Sequence, residues 1–417
     1  MKKVKSVSPT LTTALVAFSL AMLALLQNRY GQYTDVRQFY IMHFSDGQNL
    51  WPYSYHTLLN SNEEMHPVEY PALTGLIMWL ISFAIPISPE APFHYYWLTG
   101  LLNAILLGFS AHLLERMSSK KVAYYFICSL AVLYSLNRNW DIWAVTPMVI
   151  AILFFDRRSY SKSAIFLAIS IATKFFPVVL LLPISIYFIR KSKLKELFTY
   201  LINVAGSWTI INLPFMLVNF EGWAYFYKFS FERGLGSASI YEIIGRIGVP
   251  FEFNQFHFYL LNLSIFLVAT LVFLRIQVLE KISPFAFFAL FAFTFFNKQY
   301  SMQYIIWLSP FALLALHSLP KKHQKRGFGL YFCWQVFEFL FQFAFFQNIL
   351  TNLGEQRNMD LATFEITSTQ YTVIAAVRYL FVLLFFVNLV TVNLGKNSPI
   401  IVEKREVTSK RLKFGKK

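Results

Sequence analysis

Charged residues are scarce in this chain. They make up 14% of its 417 residues, whereas 56% are hydrophobic and 19% are aromatic. A soluble globular protein carries roughly 25% charged residues, so this chain has too few polar groups to cover its own apolar surface. The shortage argues against a water-soluble fold. It predicts an all-α polytopic membrane protein, because a helix satisfies its backbone hydrogen bonds internally when lipid surrounds it.

Acidic residues and cysteines are also few. The chain has 21 Asp and Glu against 37 Lys and Arg, which gives a net charge of +16, and it has two cysteines. Both cysteines, Cys128 and Cys333, lie inside apolar runs, which argues against a disulfide framework or a cysteine metal site. The basic residues form short clusters between apolar runs, a pattern typical of the positive-inside rule rather than of nucleic acid binding. We therefore expect membrane lipid, and no nucleic acid, as a partner.

Twelve apolar runs are long enough, or nearly so, to cross about 30 Å of hydrocarbon. They fall at about 10–27, 94–114, 122–137, 140–155, 163–173, 175–189, 197–217, 256–274, 282–296, 300–317, 327–347 and 371–393. A further apolar run lies at 71–87. If it crosses the membrane, every later loop lies on the opposite side of the membrane. If it instead lies at the outer surface as a juxtamembrane helix, the basic clusters share one side with the basic N-terminus, as the positive-inside rule requires.

We adopt the second topology, which has about 12 transmembrane helices and both termini in the cytoplasm. It makes the chain a multi-pass protein of the inner (plasma) membrane. Residues 1–393 then form a single transmembrane domain with outer loops at 28–93, 218–255 and 348–370. Residues 394–417 form a basic cytoplasmic tail, suited to anionic lipid.

With this topology, carboxylates and cations meet on the outer face, near the hydrocarbon, where charges are costly and often functional. The carboxylates are Asp35, Glu69 and Asp141. Taken singly, each has an ordinary explanation: a loop aspartate, an acid facing a helix dipole and a helix N-cap.

The cations are Lys174, Arg233 and Lys298, and Lys298 opens a segment that contains Gln303 and Tyr304. Lys174 alone suits a snorkelling lysine and Arg233 an interfacial anchor. Because the carboxylates and cations are all predicted on the outer face of the membrane, we interpret them as parts of one reaction site. A carboxylate can take the proton from an acceptor hydroxyl, and cations can stabilise a departing phosphate. This set suits glycosyl transfer from a lipid phosphate.

Six segments in order also resemble a known family. They are YTD after the first span, EYPALTG before the surface run, NWDIWAV, TKFFPVVLLLP, RGLGS and NKQYSMQYIIWLSP, spread over about residues 30–310. The sequence resembles the GT-C superfamily of membrane glycosyltransferases, and more closely glycosyltransferase family 87, the polyprenol-phosphate-mannose-dependent mannosyltransferases. Two positions depart from the pattern: Ala72 stands where many relatives have a second proline, and Met302 where they often have proline.

The resemblance implies an inverting transfer of mannose from a polyprenyl-phosphate donor to a glycolipid or glycan acceptor. Asp35 occupies the position of the general base. The other matching positions are implied to face the donor phosphate or to support the site: Lys174, Arg233, Lys298, Gln303 and Tyr304 for the phosphate, and Glu69, Tyr70 and Asp141 for support. No acidic pair has the spacing of a metal-binding DxD motif and no histidine pair has ligand spacing. We therefore expect neither a metal nor another cofactor.

Two alternatives remain open at this point. A polyprenyl-phosphate arabinose donor needs the same base and cations, so the enzyme could be an arabinofuranosyltransferase. A flippase or transporter of lipid-linked sugars is a different class, which favours inverted repeats or charges at mid-membrane. Here the charges gather at one surface and no repeat is evident.

The topology predicts where reporters placed in the loops will be found. A reporter fused after Ser119 should report the cytoplasm and one fused after Glu355 the outside, because the basic clusters set the orientation. The measurement is a paired assay of alkaline phosphatase and fluorescent-protein fusions. Exchange of the two locations would contradict the assigned orientation.

Overall fold

The computed structural model describes residues 9–28, 34–44, 50–57, 64–236, 238–249, 253–275, 281–357 and 362–394. The described part is mainly helical. Its helices are α1 (Pro9–Asn28), α2 (Asp35–His43), α3 (Ala72–Ser82), α4 (Ala91–Met117), α5 (Lys120–Ile127), α6 (Leu130–Ser135), α7 (Asp141–Asp156), α8 (Tyr160–Thr173), α9 (Leu181–Arg190), α10 (Leu194–Val218), α11 (Phe220–Glu232), α12 (Ile240–Arg246), α13 (Phe253–Arg275), α14 (Ser283–Phe295), α15 (Tyr304–His317), α16 (Lys321–Arg357) and α17 (Ser368–Leu394). A 3-10 turn (Phe176–Leu180) precedes α9, and two short antiparallel strands (His56–Thr57 and Glu64–Met65) pair in the first loop.

The all-α character predicted from composition is confirmed. Four helices in the described ranges, α4, α10, α16 and α17, are long and apolar enough to cross a membrane by length and composition. Shorter apolar helices occupy most of the other predicted runs, so the count of twelve spans stays a prediction. The run predicted at 122–137 is interrupted, because Ser129 takes an extended conformation between α5 and α6. The predicted tail lies outside the described residues beyond 394.

Helices α7, α14 and α15 form the centre of the bundle. Nearly all of their residues are buried, as expected for helices that are hydrophobic on every side. Helix α1 packs along α4, and α16 along α17. Only a small part of α10 is buried within the protein, so its apolar surface is available to lipid.

Helix α3 corresponds to the run predicted to lie at the surface. Its 11 residues reach only about 16 Å at 1.5 Å per residue, which is too short to cross about 30 Å of hydrocarbon. The Thr74 hydroxyl donates to the Thr173 carbonyl oxygen at 2.6 Å, and the Tyr53 hydroxyl donates to the Pro71 carbonyl oxygen at 2.7 Å. These bonds fasten the first loop to the end of α8, next to the polar groups described below.

Gly222 sets a close contact between that loop and the start of α11. The Asn219 side chain donates to the Tyr53 carbonyl oxygen at 3.0 Å and accepts from the Gly222 amide at 2.9 Å. A Cβ at Gly222 would collide with the same Tyr53 carbonyl oxygen. The position therefore needs glycine for space.

Gly222→Ala should lower the free energy of unfolding by roughly 1–3 kcal/mol, because backbone must move to admit the methyl group. The measurement is thermal unfolding in detergent. Gly206→Ala in α10 is the matched control, since nothing lies within 4 Å of its added Cβ. Equal stability of the two variants would contradict the contact.

Candidate active site

The carboxylate of Asp35 lies at the first turn of α2, where the chain leaves the first predicted span. Thr34 caps the helix by accepting from the Arg37 amide at 3.2 Å. The Asp35 amide donates to the Arg138 carbonyl oxygen at 3.0 Å. A helix N-terminus favours an ionised carboxylate. The backbone bond joins α2 to the turn between α6 and α7.

Asn139, in that turn, connects three of the predicted site residues. Its side-chain nitrogen donates to a carboxylate oxygen of Asp35 at 2.7 Å and to the hydroxyl of Tyr70 at 2.7 Å. Its side-chain oxygen accepts from the Lys174 ammonium at 3.2 Å. Asp35, Tyr70 and Lys174, which are far apart in sequence, therefore meet around one buried amide.

Lys174 forms a buried ion pair. Its ammonium lies 3.3 Å from the Asp141 carboxylate, and the two side chains are 11% and 0% exposed. The other Asp141 oxygen accepts from the indole of Trp307 at 2.5 Å. Tyr304 stacks on Trp307 with ring centroids 3.8 Å apart. Lys174, Asp141 and Tyr304 thus form a layer behind Asn139, and they do not line the cavity described next.

A cavity of about 450 Å³ opens beside Asp35. The loop after α11, the loop before α15 and one face of α16 surround it. Its lining residues are Asp35, Arg138, Arg233, Gly234, Leu235, Gly236, Ala238, Gln299, Tyr300, Ser301, Met302, Gln303, Phe345 and Phe346. Of the predicted site residues, the structure places Asp35, Arg233 and Gln303 on this wall.

The loop after α11 and the loop before α15 are joined by hydrogen bonds of Lys298 and Gln299. The Lys298 ammonium donates to the Phe231 carbonyl oxygen at 2.7 Å. The backbone carbonyl oxygen of Lys298 accepts from the Gly236 amide at 3.0 Å. The Gln299 amide donates to the Gly234 carbonyl oxygen at 2.6 Å. A Cβ at Gly236 would strike the Gln299 side chain, so the glycine permits the approach. Lys298 holds the rim and does not line the cavity.

Arg233 is the cation most open to an anionic ligand. It is exposed, it lines the cavity, and it forms no ion pair within the ranges that the structure covers. Its charge is felt by its neighbours. Burial and then the nearby Arg233 guanidinium hold the pKa of the Lys298 ammonium below its usual value. Because the two positive charges of Arg233 and Lys298 repel each other, an anion bound between them would be stabilised.

Glu69 and Tyr70 lie beside this charge pattern in the first loop. Burial raises the pKa of the Glu69 carboxyl, and the Asp35 charge adds to the increase while Arg233 opposes it. Burial also raises the pKa of the Tyr70 hydroxyl well above its usual value, so this hydroxyl keeps its proton. The Lys174 ammonium lies 4.6 Å from the centre of the Tyr70 ring. Glu69 and Tyr70 both lie near Asp35, and neither lines the cavity.

Arg138 was missed by the sequence reasoning, although it stands three residues before Asp141. It is buried, with its guanidinium between the rings of Tyr134 and Phe346 at 4.2 and 3.9 Å. Burial lowers the pKa of Arg138, and Asp35 is among the groups that oppose the shift. A charged residue next to a predicted span was the available signal. Phe345 and Phe346, in an apolar helix, gave no such signal.

A metal site is not apparent in the described ranges. No three His, Cys, Asp or Glu side chains among the residues described lie close enough to hold an ion. Metal-independent chemistry stays a prediction. The cations and amides on the cavity wall can themselves contact phosphate oxygens, because arginine presents its donors in a planar fork.

The model of glycosyltransferase family 87 matches residues 68–302. The chain belongs to glycosyltransferase family 87. The match confirms the resemblance seen in the motifs and identifies the chain as a multi-pass membrane glycosyltransferase. It covers Glu69 to Lys298 among the predicted site residues, while Asp35, Gln303, Tyr304 and the helices α15, α16 and α17 lie outside it.

One similar solved structure is ArnT from Cupriavidus metallidurans bound to undecaprenyl phosphate. It has 13% sequence identity and a TM-score of 0.48, over 92% of this chain and 77% of that chain. No curated protein matches the chain.

Asn139→Asp tests the role of the amide that joins Asp35, Tyr70 and Lys174. The replacement is isosteric, but it removes the donor to Asp35 and sets a second carboxylate beside it. Glycosyl transfer should fall roughly 100-fold, and the acid limb of the pH–activity profile should move to higher pH, because two adjacent carboxylates favour sharing a proton. The assay is initial rate against pH in purified protein.

The matched control is Asn352→Asp, the same change on an exposed residue near the end of α16. It should leave the profile in place. An unshifted profile for Asn139→Asp would refute the electrostatic role of the amide.

Proposed function

We propose that this glycosyltransferase moves mannose from polyprenyl-phosphate mannose to a glycolipid or glycan acceptor at the extracytoplasmic face, with inversion at the anomeric carbon. The observation that carries the proposal is the cavity that Asp35 and Arg233 share, which places a carboxylate and an exposed cation at one end of a membrane bundle. Membership of the family, which matches most of the motifs, supports the reaction class.

In the proposed step, Asp35 accepts the proton of the acceptor hydroxyl. The acceptor oxygen forms a bond to the anomeric carbon while the bond from that carbon to the phosphate oxygen breaks. The bonding electrons leave with the lipid phosphate, whose negative charge grows. A general base of this kind contributes roughly 10²–10⁴-fold.

The departing phosphate is assigned to the Arg233 side of the cavity. Arg233 can bind two phosphate oxygens through its planar fork, and Lys298 adds a second positive charge nearby. Gln299 and Gln303 supply neutral donors on the same wall. Preorganised positive groups aimed at a developing charge are a major source of rate enhancement.

Lys174 takes a different part in this proposal. Because its charge is already balanced by Asp141, it acts on the reaction through Asn139 rather than through the phosphate. Its contribution is to hold the amide oxygen, which turns the amide nitrogen toward Asp35. Tyr70, Asp141 and Tyr304 complete the layer that supports the base, and Glu69 lies at its edge.

Asp35→Asn tests the base. Purified protein in lipid nanodiscs is given radiolabelled polyprenyl-phosphate mannose and an acceptor extract. Wild type should transfer label to glycolipid or glycan, and Asp35→Asn should be slower by roughly 10²-fold or more. Glu221→Gln, an exposed acid at the start of α11, is the matched control and should retain activity.

The donor is tested by substituting polyprenyl-phosphate arabinose in the same assay. Transfer of mannose alone supports the proposal. Preference for the arabinose donor would make the enzyme an arabinosyltransferase with the same base and the same cations. Label that crosses sealed vesicles without being transferred would overturn the enzyme assignment in favour of a transporter.

A further inference from the structure

A second cavity lies at the opposite end of the bundle from Asp35. Its volume is about 520 Å³, and it opens between the first turns of α5 and α16. Lys325 stands 20 residues before Phe345, so α16 separates this cavity from the candidate active site by about 30 Å at 1.5 Å per residue. That distance is about the thickness of the hydrocarbon layer.

Three lysines line the second cavity: Lys121, Lys321 and Lys325. All are exposed, and none forms an ion pair within the part of the chain that is described. The Lys121 ammonium lies 4.0 Å from the centre of the Phe328 ring. Three unbalanced positive charges therefore converge on one opening.

Two helix N-termini add to this positive potential. Lys121 is in the first turn of α5 and Lys321 begins α16, and neither helix has an acidic residue in its first turn. Cations are unfavourable there, because the N-terminal end of a helix carries partial positive charge and free amide donors. A bound anion would relieve the repulsion and satisfy the donors.

An apolar groove of about 300 Å³ continues from this cavity toward mid-membrane. Tyr125 and Phe332 line both spaces. The groove is lined by Tyr124, Tyr125, Cys128, Ser129, Leu130, Tyr331, Phe332, Gln335 and Val336. On α16, residues 325, 328, 332 and 336 are spaced along one helix face. A single stripe thus leads from the lysines into the groove.

Gly329 keeps the mouth of the cavity open. It lies inside α16, where glycine costs roughly 1 kcal/mol relative to alanine. Nothing lies within 4 Å of the position its Cβ would take, so packing does not require glycine. The space beside it is the cavity itself.

We propose that this face binds an anionic glycerophospholipid, with its phosphate on Lys121, Lys321 and Lys325 and one acyl chain in the groove. The charge identifies the headgroup, since basic pockets between helices at the membrane surface suit anionic lipids. The apolar continuation identifies a lipid rather than a soluble anion. The site is separate from the donor phosphate, which the proposed reaction assigns to Arg233.

The experiment is native mass spectrometry of the full chain in detergent, titrated with phosphatidylglycerol or phosphatidylcholine. Wild type should bind one phosphatidylglycerol in preference to phosphatidylcholine. The triple variant K121Q/K321Q/K325Q should lose affinity by roughly tenfold or more. The matched control K120Q/K322Q/R326Q removes the same charge from neighbours that do not line the cavity and should bind within about twofold of wild type.

Gly329→Leu gives an independent test that leaves every charge in place. Leucine is a better helix former than glycine, so the variant should fold and fill the mouth of the cavity. It should lose phosphatidylglycerol while its unfolding temperature is no lower than that of wild type. Equal loss in the control triple, full binding by Gly329→Leu, or equal binding of glycerophosphoglycerol without acyl chains would each overturn the proposal.

Discussion

The arrangement of the candidate active site depends on the orientation of one amide, the side chain of Asn139. Its nitrogen donates to the Asp35 carboxylate and its oxygen accepts from the Lys174 ammonium. Electrostatics fixes this orientation, because a reversed amide would direct its nitrogen at a cation and its oxygen at an anion. Asn139 therefore lies between Asp35 and Lys174 and bonds to both. The carboxylate at the cavity is positioned by a neutral group.

The predicted cations Lys174 and Arg233 consequently differ in what they can do. Lys174 is almost fully buried beside Asp141, and a buried charge of this kind is tolerated because it is paired. Arg233 is exposed on the cavity wall, in the described part of a chain where acids are few. Charge on a ligand would be balanced there rather than at Lys174. Two cations that look equivalent in sequence, Lys174 and Arg233, thus differ in burial and in their partners.

Composition alone was sufficient to predict the all-α membrane class, whereas the assignment of α3 as a surface helix stays a prediction. The gathering of Asp35, Lys174 and Arg233 at one end was also predictable, because charges collect where spans begin and end. Which of them reach the cavity was not. Lys174 turns toward Asp141 and does not line the cavity, whereas Arg233 lines it. Both depend on tertiary packing.

Helices α16 and α17, which follow the family match, explain why the matched loops are held in place. The Arg378 guanidinium donates to the Ala238 carbonyl oxygen at 3.1 Å and lies 4.1 Å from the centre of the Tyr300 ring. The Tyr300 hydroxyl donates to the Glu338 carboxylate at 3.2 Å. Ala238 and Tyr300 both line the cavity, and Glu338 and Arg378 are fully buried.

Removal of one charge from such a buried cluster leaves the other without compensation, which is strongly destabilising. The contacts therefore hold the loop after α11 and the loop before α15 at a fixed separation. The family match ends at residue 302, yet the wall that it includes is held in place by α16 and α17. Phe345 and Phe346 extend that wall from the same unmatched part. The candidate site therefore combines residues of the matched segment with Asp35 before it and with Gln303 and α16 after it, and α17 helps to hold the wall in place.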